Sequence, residues 1–117
     1  ALSPERHDHL LAQVSHLPHA VAAALVHLSL SEKAINLAGP GFADTTRIAS
    51  GEPGMWAEIF RSNRPAMMGA IDRLSEQLAE FRRLLERDDA EGIYRWLALS
   101  QHARDLWISR RYRKKKG

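Results

Sequence analysis

Apolar side chains recur along this chain at spacings of three and four residues, and no segment alternates apolar and polar with period two. That periodicity belongs to the α-helix and not to the strand. The clearest run is Met67, Ile71, Leu74, Leu78, Phe81 and Leu85, with steps of 4, 3, 4, 3 and 4. It makes an a/d seam, and Glu76, Glu80, Arg82, Arg83, Glu86 and Arg87 fill the other face.

A second run places Leu10, Leu11, Val14 and Leu17 on one helical face. Pro18 then falls inside the pattern. Proline has no N–H to donate and crowds the carbonyl four residues back, so the spacing predicts a kink or a local opening. His16 and His19 flank that proline one turn apart. Breaks of this kind gather at functional sites, although two hydrogen-bonded core histidines on a bent helix would look the same.

Start and stop signals divide the rest. Ser3-Pro4-Glu5 is a helix start, with serine as N-cap and proline at the first position. The helix continues through the small residues Ala20, Ala22, Ala23 and Ala24 to a break at Ser29–Ser31. A short helix is expected from about Glu32 to Leu37. Gly39-Pro40-Gly41 reads as a stop. One or two turns follow from Phe42 to Ala49, with Asp44, Thr45 or Thr46 as cap. Met55–Phe60 reads as a short amphipathic helix. Ser62 or Asn63 caps the long seam helix, and Asp88 with Glu91 has capping-box spacing for the last one. That helix carries Ile93, Trp96, Leu97, Ala103 and Trp107 on one face.

The fold class is therefore all-α, with about five to six helices. The seam, the alanine cluster and the supply of large apolar groups predict that the long helices form an intertwined homodimer. At 117 residues the chain is one domain by length. Residues 1–109 are read as a helical domain and residues 110–117 as a basic tail, expected to be disordered.

Charge sharpens that division. Six of the 17 basic residues are Arg110, Arg111, Arg113, Lys114, Lys115 and Lys116. Without them 11 basic residues face 14 acidic ones, a net of −3. A basic tail can bind polyanions, but more often it is a solvated terminus. No aromatic-studded basic stripe accompanies it, so no nucleic-acid partner is expected. No run of 18 apolar residues exists, and no membrane partner is expected. Cysteine is absent, which removes disulfides and thiolate chemistry and fits a cytoplasmic protein.

Three readings of the chemistry compete on these residues alone. His7, Asp8, His9, His16 and His19 could hold zinc or iron, but His16 and His19 lack HExxH spacing. The helical stripes and three tryptophans also suit a non-catalytic dimerisation or interaction module. Arg47, between two glycine-bearing loops, could hold a carboxylate with its forked guanidinium, unless it merely pairs with Asp44 at the surface.

The ordered set of motifs changes the ranking. His7-Asp8, then Ser15-His16-Leu17-Pro18-His19, Gly39-Pro40-Gly41-Phe42, Asp44-Thr45-Thr46-Arg47-Ile48-Ala49, Pro53, Met55-Trp56 and Asn63 resemble the C-terminal helical domain of prephenate and arogenate dehydrogenases. The resemblance covers roughly Ser3 to Trp107. It implies an oxidative decarboxylation on the way to tyrosine, with NAD or NADP as hydride acceptor. In that family an N-terminal Rossmann domain binds the nucleotide and supplies the catalytic histidine, while the helical domain makes the dimer and closes the substrate cleft. Only the second part is matched here. No catalytic, cofactor-binding or metal residue is therefore expected in this chain, and it is expected to be inactive alone.

Residue by residue, the resemblance gives Arg47 the substrate carboxylate and His19 a place facing the cleft. Asp8 would join an ionic network with the arginine, Trp56 would stand at the pocket wall, and Gly41 is grouped with them as substrate-binding. Ala43 departs from the family, where a basic residue is common.

Overall fold

The computed structural model describes residues 2–116 and is all-α. It is 88% helical, with no strand among the described residues. The chain divides into two compact units, Ala1–Arg73 and Leu74–Gly117.

The first unit opens with α1 (Pro4–Leu11), a π-helical turn (Ala12–His16) and α2 (Leu17–Leu30), which run on as one rod. Ser3 is the N-cap, its Oγ accepting from the Arg6 N–H at 3.1 Å. The predicted opening before Pro18 takes the form of the π turn. Its widened loop sends the Leu17 N–H to the Ala12 carbonyl, five residues back. The extra residue also shifts the helical phase. Leu17 is buried, but Val14, expected on the same face, is 70% exposed.

α2 ends at its C-cap Ser31, and Lys33, at φ 55° in the left-handed region, leads into a 3-10 turn (Ala34–Leu37) where a short helix was expected. Gly39-Pro40-Gly41 is not a stop but a start. Pro40 opens α3 (Pro40–Thr46) with Gly39 as N-cap, because proline suits a position whose N–H would be unsatisfied anyway. Thr46 therefore caps nothing; its hydroxyl donates to the Phe42 carbonyl at 2.7 Å. A 3-10 turn (Arg47–Ser50) leads to α4 (Pro53–Ser62). Glu52 caps α4, its carboxylate accepting from the Gly54 and Met55 N–H groups at 2.9 and 2.6 Å. Those two bonds, Met55's first, hold its carboxyl below the usual range.

The core of this unit is built largely from small groups: Ala12, Ala22 and Ala70 are buried, with Leu17, Met67 and His19. Small residues let helix backbones approach closely, at the cost of little apolar area per contact. Arg73, on α5 (Arg64–Glu86), donates to Gln13 at 3.0 Å, tying that helix to the π turn.

The second unit is the remainder of α5, a tight turn and α6 (Ala90–Lys116). Asp88, at φ 49°, takes the left-handed position, and the Asp89 N–H returns to the Leu84 carbonyl at 3.0 Å. Asp88 is thereby spent on ending α5. The cap of α6 is Asp89, whose Oδ1 accepts from Gly92 N–H at 2.9 Å, one residue later than the spacing predicted. Phe81 stacks on Trp96 with centroids 5.0 Å apart, and Leu84 is buried. The seam is otherwise half covered: Leu78 is 56% and Leu85 54% exposed. Residues 110–116, expected as a disordered tail, continue α6 as helix. Arg111, near the negative end of the helix dipole, lies 5.5 Å over the Trp107 ring.

Candidate functional site

An open cleft of about 490 Å³ lies in the first unit, lined by Asp8, His16, Met55, Glu58, Ile59, Ser62 and Asn63. Asp8 comes from α1 and Asn63 from the residue after α4. The π turn presents His16, and α4 presents positions 55, 58, 59 and 62, one helical face at steps of 3, 1 and 3.

Aromatic stacking sets the wall behind it. His19 is buried and lies face to face with Trp56, centroids 3.9 Å apart and planes 18° from parallel. Phe60 meets the His19 ring edge-on at 5.9 Å. His16 approaches the same indole edge-on at 6.3 Å and 82°. One tryptophan is thus held between two imidazoles, a direct result of the His16–His19 spacing around Pro18. Gly51 backs the stack. A Cβ there would lie 2.9 Å from His19 Cε1 and 2.9 Å from Trp56 Nε1, so the loop approaches the rings only because it has no side chain.

The polar atoms of the cleft are unevenly satisfied. His16 Nδ1 is buried and has no hydrogen-bond partner among the described residues. An unpaired buried acceptor or donor is costly. The Asn63 amide donates to the Asp8 carbonyl at 3.0 Å, while its own carbonyl accepts from the Met67 N–H at the start of α5. The Arg73 guanidinium, with Arg6 behind it, holds His9 below its ordinary value.

The sequence-derived candidates are only partly brought together. Asp8 lines the cleft, and Trp56 and His19 stack beside it. Arg47 is exposed on the 3-10 turn after α3, outside the cleft lining. No ion pair joins it to Asp44 or to Asp8 among the described residues; Asp8 instead faces His7 at 3.9 Å. Gly41 is exposed on α3, and a Cβ there would meet nothing within 4 Å. His16 lines the cleft, and only its spacing around Pro18 points to it in the sequence. Glu58, Ile59, Ser62 and Asn63 were not assigned, although their helical spacing from Met55 was visible. Among the described residues no three His, Asp or Glu side chains gather as a metal set.

A protein-family model described as prephenate dehydrogenase, dimerization domain, matches residues 3–99. The chain belongs to this family. Prephenate dehydrogenase of Bacillus subtilis (strain 168) is 35% identical over 109 residues, covering 89% of this chain and 29% of the relative. Among solved structures, Synechocystis arogenate dehydrogenase superposes with a TM-score of 0.81 at 27% identity, over 91% of this chain and 41% of that one. Prephenate dehydrogenase from A. aeolicus, in complex with hydroxyphenyl propionate and NAD+, gives 0.75 at 36% identity, over 90% and 38%. The chain thus spans between about three and four tenths of the length of these prephenate and arogenate dehydrogenases.

Proposed function

We propose that this helical domain dimerises and forms one wall of the substrate cleft in an NAD- or NADP-dependent prephenate or arogenate dehydrogenase. The observation that carries the reading is the His16–Trp56–His19 stack beside an open cleft that His16 itself lines. An imidazole fixed by stacking offers a directed hydrogen bond without having to be ordered first. Arg47 is the substrate-carboxylate ligand in this reading. Its guanidinium has no carboxylate partner among the described residues, which leaves the fork available to an anionic substrate. Trp56 and His19 form the rigid wall, Asp8 shapes the cleft mouth and Gly41 lies on the neighbouring exposed helix. The chain contains no strand-to-helix glycine fingerprint for a pyrophosphate. The nucleotide, which would accept the hydride, is accordingly proposed to bind outside these residues.

The dimer is a second copy of this chain packed on apolar faces that remain open. Leu78, Leu85, Leu97 and Trp107 on α5 and α6 are exposed. So are Leu28 and Leu37, beside an apolar hollow of about 400 Å³. Faces of this size on helices are ordinarily covered.

Steady-state kinetics of Arg47→Ala in the enzyme containing this domain tests the site. One charge-assisted bidentate contact is worth roughly 1.5–3 kcal/mol, so kcat/KM for prephenate should fall about 10- to 150-fold with the melting temperature unchanged. Arg47→Lys should rescue poorly, since an ammonium has no fork. Unchanged kinetics with unchanged melting would leave Arg47 a surface residue and remove the assignment.

A further inference from the structure

Among the described residues no backbone hydrogen bond joins the first rod to α4 or α5. Side chains carry that contact. His16 and His19 meet Trp56 of α4, and the Asn63 amide reaches the Asp8 carbonyl. Farther along α5, Arg73 Nε donates to Gln13 Oε1 at 3.0 Å. Asn63 and Arg73 are ten residues apart, about 15 Å along the α5 axis. The rod is therefore gripped at two levels, and it cannot turn about its own axis without breaking a bond. Gln13 is the second residue of the π turn, and His16, which lines the cleft, is its last. Ala12, next to Gln13, and Ala70, one turn before Arg73, have no exposed surface. Gly69 lets the arginine lie flat. A Cβ there would be 3.3 Å from Arg73 Nη1, so the guanidinium rests against bare helix one turn before its own Cα.

We propose that Arg73 is a positioning residue: its bond to Gln13 fixes the rotation of the π turn and so the placement of His16 at the cleft. The inference rests on that cleft being the substrate site. His16 lies three residues beyond Gln13, so a rotation that broke the bond would swing the imidazole along the cleft wall. A displacement of about 1 Å at a substrate contact is costly. Glutamine suits the task because its amide oxygen directs the guanidinium without cancelling its charge. That charge also faces α1, where it holds His9 below its ordinary value.

The test varies prephenate in the enzyme containing this domain. Gln13→Met and Arg73→Met should each raise KM about three- to tenfold, with kcat within twofold. The double variant should do no more than either, because the same bond is lost in all three. Gln13→Glu keeps an oxygen for the guanidinium and should hold KM at the parent value. Gln13 is exposed, so its variants are read alone if Arg73→Met fails to fold. His16→Ala is measured beside them. KM unchanged in the Gln13 and Arg73 variants, while His16→Ala raises it, would overturn the positioning role alone. A KM that His16→Ala also leaves unmoved would show that the cleft reading itself has failed, and the inference with it. A lowered melting temperature with KM unchanged would make the bond a structural tie and would equally overturn the proposal.

Discussion

Replacing Gly51 with alanine should weaken the His19–Trp56 stack, and its size can be worked from the contacts. The backbone there is ordinary, at φ −60° and ψ 159°, so the methyl group costs nothing in conformation. Its cost is steric. The new Cβ would sit 2.9 Å from His19 Cε1, 2.9 Å from Trp56 Nε1 and 3.0 Å from Trp56 Cδ1. Carbon atoms rest at about 3.5–4.0 Å, so the rings must retreat by roughly half an ångström or more. His19 is buried and pinned by Phe60, which leaves the indole to move. Overpacking of this kind costs about 1–3 kcal/mol, part of it the stacking itself. For a domain near 100 residues each kcal/mol lowers the melting temperature by about 4–8 °C. Gly41→Ala is the matched control. A Cβ at Gly41 meets nothing, and the residue is helical, so this change should stabilise by about 0.4–1 kcal/mol. Thermal melts of both variants, with near-ultraviolet circular dichroism reporting the Trp56 environment, give the answer. A Gly51→Ala protein that melts with the parent and keeps its aromatic spectrum would refute the close-packed loop.

Two further outcomes follow from the same contacts. His9 is held below its ordinary value of 6.5 and Glu52 below 4.5. In both cases the unfolded chain binds protons more readily, so stability should fall as pH drops below about 6.5 and again below about 4.5. His9→Gln should flatten the first step in a melting series against pH, and Glu52→Gln the second. Leu78→Glu places a charge on the open α5 face; light scattering should show a dimer for the parent and monomer for the variant at micromolar concentration, whereas a parent that is already monomeric contradicts the dimer proposal.

Much of this was legible in the residues. The a/d spacing from Met67 to Leu85 lies within α5, and Ser3-Pro4 starts α1 as capping chemistry requires. The motif order identified the family before any geometry was available. The misreadings have local causes. Gly39-Pro40-Gly41 carries both stop and start signals, and only the following Phe42 backbone decides between them. Asp88 could cap α6 or end α5; the tight turn consumed it. The basic run from Arg110 reads as a solvated terminus, and Arg111 lies over the Trp107 ring on α6. Within the site, the His19–Trp56 stack was not legible, because the two residues lie on different helices whose packing no spacing fixes. Nor was the lack of an Asp8–Arg47 ion pair among the described residues, because nothing in a sequence spacing fixes the relative orientation of two elements 39 residues apart.

The π turn has one more implication, for how changes accumulate in this protein. The wider turn makes α1 and α2 rotational segments with separate phases, so an apolar stripe drawn continuously through both marks the wrong residues. Val14 is the visible case: it falls on the stripe yet points to solvent. Substitutions there should be tolerated, while single-residue deletions between Ala12 and His16 would re-index every side chain on one side of the cut. For this helix length, more than composition, is the inherited quantity.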